Sequence, residues 1–220
     1  MPVALVTGAS RGLGLALARA LHDRGWQLVI DARGEADLLA AAPPSAVVVA
    51  GDVTDPAHRA ALRTAVRQLG RLDLLVNSAS ELGPMPRLAH YPLADLRRVL
   101  EVDVLAPLAL VQDLLPLLAE GATVVNVSSD AAVGAYEGWG GYGSAKAALD
   151  HLTAVLAVEH PGLRFCAFDP GDMRTAMHQQ AFPGEDISDR PRPETVVPAL
   201  LRLLDLPSGR YRAADLLVLA

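Results

Sequence analysis

The stretch Val3-Ala4-Leu5-Val6-Thr7-Gly8-Ala9-Ser10-Arg11-Gly12-Leu13-Gly14-Leu15-Ala16-Leu17-Ala18 decides the fold. A short apolar run rich in valine stops in a turn holding Gly8, Gly12 and Gly14, then resumes with helical periodicity to Arg24. A strand that passes through a glycine turn into a helix is the first half of a βαβ unit. Working outward, the same alternation repeats. Strands are expected at 3–7, 27–31, 46–51, 72–77, 123–128, 164–169 and near 214–219. Helices are expected at 12–24, 56–69, 92–118, 143–159 and 193–204.

Strands alternating with helices at this spacing predict an α/β chain, with a parallel sheet covered on both faces. Right-handed crossovers leave few topologies, and the Rossmann-like doubly wound sheet of about seven strands is the commonest of them. No repeat, linker or low-complexity tract divides residues 1–220, so a single domain is expected. The least patterned stretch is 171–193, rich in proline, glycine and aspartate, and a loop of that length predicts a lid over a site.

Composition narrows the function classes. Hydrophobic residues make up 51% and charged residues 20% of the 220, a globular balance. The net charge of −6 argues against a nucleic-acid partner, which would need a basic surface. The single cysteine, Cys166, lies in an apolar run and reads as a buried, inert thiol; no oxidising compartment is implied. The first residues lack a basic segment, and the apolar region 104–119 is interrupted by Pro107, Asp113 and Pro116. A cytoplasmic protein without a membrane partner is expected. The six histidines show no metal-ligand spacing and read as surface or packing residues, so no metal is expected.

The glycine turn carries chemistry as well as fold. Glycines let backbone amides approach a pyrophosphate, which sits at the positive end of the helix that follows. The spacing TGxxxGxG over Thr7–Gly14 resembles the short-chain dehydrogenase/reductase family, and further landmarks occur in its order. Asp52-Val53 follows the third strand and Asn77-Ser78-Ala79-Ser80 the fourth. Ser129 precedes Tyr142 by thirteen residues, Tyr142 and Lys146 form YxxxK, and Pro170-Gly171 follows the sixth strand with Thr175 beyond it. The resemblance implies dinucleotide contacts from Gly8, Ser10, Arg11, Gly12, Leu13 and Gly14 at the pyrophosphate. It implies contacts from Asp52, Val53, Asn77 and Ala79 towards the adenosine, and from Tyr142, Lys146, Pro170, Gly171 and Thr175 at the nicotinamide side. It also implies a homodimer or homotetramer built through the apolar helices at 92–118 and 143–159.

Moving a hydride to a carbonyl requires a proton donor at the oxygen. A tyrosine has an ordinary pKa near 10 and needs help to exchange its proton at neutral pH. Tyr142 and Lys146 share one helical face, so the ammonium favours the phenolate, and an oxidised nicotinamide adds positive charge nearby. Ser129 is assigned the substrate oxygen by family spacing. Its neighbour Ser128 competes, and strand alternation points the two opposite ways.

The family resemblance also bears on the choice of dinucleotide. The segment Val29-Ile30-Asp31-Ala32-Arg33 aligns Ala32 where NAD-preferring members hold an acidic residue, and Arg33 follows. Arg33 and Arg11 suit a 2′-phosphate, so NADP is expected over NAD. A register slip of one would instead make Asp31 a ribose ligand. Asp103 replaces an asparagine of the family and is expected to face the site, holding a water behind Lys146. Candidate substrate-pocket residues are Ala131, Tyr136, Glu137, Trp139 and Met177, mostly apolar, which points to a modestly hydrophobic carbonyl or alcohol. Two readings stay open: an NADP-dependent oxidoreductase using Ser129, Tyr142, Lys146 and Asp103, or a non-catalytic dinucleotide sensor of the same fold. Retention of Ser129, Tyr142 and Lys146 together favours the enzyme.

Overall fold

Seven parallel strands in the order β3-β2-β1-β4-β5-β6-β7 form one sheet in a computed structural model that describes residues 1–218. They are β1 (Val3–Val6), β2 (Gln27–Ala32), β3 (Val47–Ala50), β4 (Leu72–Asn77), β5 (Leu118–Val127), β6 (Arg164–Asp169) and β7 (Gly209–Arg212). The helices are α1 (Gly12–His22), α2 (Glu35–Ala41), α3 (Pro56–Gln68), α4 (Leu93–Leu100), α5 (Ala106–Leu114), α6 (Gly140–Glu159), α7 (Ala176–Ala181), α8 (Pro193–Leu203) and α9 (Ala213–Leu217). Among the described residues, no helix is long and apolar enough to cross a membrane.

Strand alternation sorts the core into two layers. Ala4, Val6, Leu28, Ile30 and Val76 pack under α1 and α8 on one face. Val3, Leu5, Val29, Leu75 and Val124 pack under α3 and α5 on the other. Because the inner strands are covered on both sides, they read as continuous apolar runs. The strand order reverses between β1 and β4, and the crevice at that switch point opens at the carboxyl ends of the strands.

Three sequence expectations need correction. The last strand is not at 214–219: β7 is Gly209–Arg212, and Ala213–Leu217 is helical, with Leu219 outside the described residues. A short apolar run cannot separate strand from helix by periodicity, whereas β7 is an edge strand whose polar side chains resemble a loop. The helix α2 falls where no helix is expected; its seven residues are too few for a periodic signal. The expected helix over 92–118 is four pieces: α4, a π-helical segment at Glu101–Leu105, α5 and a 3-10 turn at Leu115–Leu117, with Leu118 already in β5. Pro107 lacks the amide that would bond four residues back to Asp103, which loosens the ladder there. The consequence is local: Val102, Asp103 and Val104 are all buried.

Candidate active site

The cleft at the switch point has a volume of about 1010 Å³, large for a small-molecule site. One end is built by the glycine turn. Gly8 lies at φ +65°, and a Cβ there would stand 2.9 Å from the backbone of Ala79, so the turn and the β4 loop touch through main chain alone. No side chain caps α1 and its first turn holds no acidic residue, leaving its amides available to an anion. These features fit a dinucleotide pyrophosphate.

Beneath the turn sits a pair that the sequence did not reveal. Asp31, buried at the end of β2, accepts the Gly8 amide at 3.0 Å and contacts His58 Nε2 at 2.8 Å. Burial raises the Asp31 carboxyl, while His58 and the Gly8 amide pull against that rise. His58 comes from the first turn of α3, where Asp55 caps the helix by accepting the Ala57 amide. Gly51 has to lack a side chain here, because a Cβ would stand 2.2 Å from His58 Nδ1. Asp31 is therefore committed to the turn, one carboxylate oxygen accepting the Gly8 amide and the other meeting His58.

At the far rim of this end, Arg98 from α4 donates to Asp52 at 2.7 Å, to Thr54 at 3.1 Å and to Glu81 at 3.2 Å. Partial burial alone would raise Asp52, but the Thr54 amide and Arg98 bring it down to about 2. Arg33 stands 3.5 Å from the same Glu81 carboxylate oxygen, and Arg11 also lines the cleft.

At the other end, Tyr142 and Lys146 lie on the first turns of α6, which starts three residues earlier than expected and so carries both. The Lys146 ammonium lies 5.3 Å from the Tyr142 ring centre and donates to the Val127 carbonyl at 3.0 Å. It also meets Asp103 directly, at 2.9 Å, with the two side chains 2% and 0% exposed. Asp103 does not line the cleft; it sits behind the lysine, accepting from the Ser80 hydroxyl and from the Glu81 amide. Asp103, expected to face the site, thus reaches Lys146 from behind as a direct ion pair, from within the buried π segment. Burial would lower the Lys146 ammonium, but Asp103 and then Tyr142 outweigh it and the net shift is upward. Burial pushes the Tyr142 phenol up, Asp103 and Asp169 push the same way, and Lys146 and a Ser80 hydrogen bond pull down. The net direction is up. Such a phenol holds its proton at neutral pH and is arranged to give it up to an acceptor in the cleft.

Ser129 lies two residues beyond β5, with its hydroxyl donating to Asp130 at 3.0 Å and accepting from the Ala131 amide at 3.1 Å. Its own carbonyl is held by Arg210 of β7 at 2.9 Å, and Arg210 in turn reaches Asp150 of α6 at 2.9 Å. Ser128 is buried and its hydroxyl has no protein partner among the described residues.

A profile of the family described as short chain dehydrogenase matches residues 2–186. The chain belongs to that family. The benzil reductase ((S)-benzoin forming) of Saccharomyces cerevisiae is 32% identical over 98% of this chain and 84% of its own. A short-chain dehydrogenase from Pseudomonas syringae superposes with a TM-score of 0.91 at 33% identity, over 96% of this chain and 94% of that one. Another, from Shigella flexneri and solved in complex with NADP, gives a TM-score of 0.91 at 27% identity over 97% of each chain.

Among the residues singled out by this family's pattern, the structure lines the cleft with Gly8, Ser10, Arg11, Gly12, Leu13, Gly14, Arg33, Asp52, Val53 and Ala79. Ser129, Tyr142, Lys146, Pro170, Gly171 and Thr175 line it too. Asn77 is brought elsewhere: it is buried and donates to Asn126 at 2.7 Å, away from the cleft. Of the expected pocket residues, Trp139 and Met177 line the cleft, whereas Ala131 packs under Tyr142 and Leu82. Tyr136 and Glu137 are corrected to the surface, where they pair with Asp130 and Arg87. His178, read as a surface or packing residue, lines the cleft and stacks on Phe182 at 4.8 Å between ring centres. No spacing signal marks it; α7 brings it there.

Proposed function

We propose that the chain is an NADP(H)-dependent oxidoreductase acting on a modestly hydrophobic carbonyl or alcohol. The observation that carries the reading is the Tyr142 phenol, kept protonated beside the buried Lys146–Asp103 pair, in a cleft whose other end is an uncapped helix under a glycine turn. When bound, the dinucleotide supplies or takes the hydride. Tyr142 gives its proton to the carbonyl oxygen in reduction, and takes it back in alcohol oxidation. Lys146 stabilises the phenolate left behind, and Asp103 holds the lysine in place. Ser129 turns its hydroxyl from Asp130 to the substrate oxygen and offsets charge growing there.

Arg33 and Arg11 support a 2′-phosphate, as does the NADP complex of the Shigella flexneri protein. Trp139, Met177 and Leu82 give the substrate end an apolar wall, consistent with the relative that reduces benzil. The segment 171–193, expected as a loop but carrying α7, lines the cleft with Thr175 and Met177 and closes over the substrate. A dimer or tetramer would be formed through α5 and α6, where Val155 and Val158 are exposed.

The test pairs binding with turnover. NADPH binding is titrated directly, and its oxidation is followed by absorbance with a panel of aryl and alkyl ketones. Tyr142→Phe keeps the ring but loses the hydroxyl, so binding should persist while turnover falls at least ~10²-fold. Parental turnover in that variant on the best substrate would sink the mechanism. A parent that binds NADPH but turns over no member of a broad panel would favour the sensor reading.

A further inference from the structure

The adenosine rim is charge-balanced in a way that concerns Arg33 directly. Two guanidiniums, Arg33 and Arg98, share one carboxylate oxygen of Glu81, at 3.5 and 3.2 Å. Arg98 has a second anchor, because it also holds Asp52 at 2.7 Å and Thr54 at 3.1 Å. Arg33 has no other carboxylate within ion-pair distance among the described residues, and its side chain is 62% exposed. Glu81, met by Arg33 through Nη1 at 3.5 Å, is therefore the carboxylate that a phosphate would have to compete with for Arg33. All four charged residues of this rim line the cleft.

We propose that Glu81 is a specificity-determining residue: it competes with the dinucleotide's 2′-phosphate for Arg33, and so limits the preference for the phosphorylated coenzyme. The inference rests on the NADP reading above. Its physical basis is that one guanidinium fork cannot pair fully with a carboxylate and a phosphate at once. A dinucleotide with a free 2′-hydroxyl makes no such demand and leaves the Arg33–Glu81 contact standing. Because the pair is exposed, its strength is modest and falls with added salt.

Glu81→Gln keeps the size and hydrogen-bonding capacity of the side chain and removes its charge. Arg98 remains anchored by Asp52 and Thr54, so the rim should not come apart. The experiment titrates NADPH and NADH against the parent, Glu81→Gln, Arg33→Ala and the double variant, with thermal melting to check folding. Glu81→Gln should tighten NADPH by roughly two- to fivefold and leave NADH unchanged, and the gain should shrink in high salt. In the Arg33→Ala background the same substitution should give no gain, since the contested partner is gone.

An undiminished gain without Arg33 would overturn the proposal and show plain charge repulsion from the carboxylate. No gain for NADPH in the Arg33-containing protein would overturn it as well. Weaker NADH binding by Glu81→Gln would identify Glu81 as a ribose ligand, which also overturns it. Failure of the NADP reading looks different: Arg33→Ala would then weaken both dinucleotides equally or neither.

Discussion

The two ends of the cleft both carry ion pairs, yet they sit in opposite surroundings. Lys146 and Asp103 are 2% and 0% exposed, locked behind the Tyr142 phenol. Arg33 and Glu81 are 62% and 30% exposed, and Arg33 can turn into solvent while Glu81 stays with Arg98. A buried pair is costly to assemble and costlier to break, because each charge left alone has neither water nor partner. An exposed pair contributes little and exchanges readily. The contrast teaches that the Tyr142 end is built to hold one protonation pattern, while the Arg33 end is free to be rearranged by what binds.

The strongest way to break this contrast is Asp103→Leu. It leaves the Lys146 ammonium buried without a counter-ion, so stability should fall by about 3–5 kcal/mol. Chemical denaturation measures it, and a loss under ~1 kcal/mol would mean the pair is no more than a surface contact in energetic terms. Next comes the adenosine end. Removing Arg11 and Arg33 together should weaken NADPH by roughly 2–4 kcal/mol and spare NADH, with little change in melting temperature. Equal losses for both coenzymes would make the arginines scaffolding.

A third variant tests the region between. His58→Ala strands the buried Asp31 carboxyl under the glycine turn, and should cost about 1–3 kcal/mol of stability. On the proposed reading the turn holds the pyrophosphate, which both coenzymes share, so NADPH and NADH should weaken alike. A loss confined to NADPH would move the 2′-phosphate site inward. The smallest expected effect is Asp103→Asn. The carboxylate raises both Lys146 and Tyr142, so its neutral isostere lowers both. Carbonyl reduction needs the protonated phenol and is lost as pH rises through its pKa, so the alkaline limb of the reduction profile should move to lower pH. An unmoved limb with normal folding would show that Asp103 does not act on the phenol.

Much of this was legible before any coordinates. The β1 turn, β4 and β6 followed from apolar runs bounded by glycine, asparagine or proline, and the Tyr142–Lys146 spacing placed both on one helical face. What escaped depends on contacts between distant segments. Arg210 reaches the Ser129 carbonyl from an edge strand whose polar sequence hides it. His58 and Asp31 meet across 27 positions, and neither residue type announces a buried partner. Asp103 was noticed as a departure from the family. Its direct seat on the lysine required the π segment ahead of Pro107, a backbone event that periodicity cannot register.

The seat of His58 against Gly51 also has an evolutionary consequence. No side chain can enter at position 51 while the imidazole stands there, since its first carbon would overlap the ring. Yet the imidazole cannot be traded away first without orphaning Asp31 and slackening the hold on Gly8. Three positions, on a strand, a loop and a helix, are thereby bound into one unit. Any lineage that abandons it has to change Asp31 before the other two, and sequences that share His58 should share Gly51 as well.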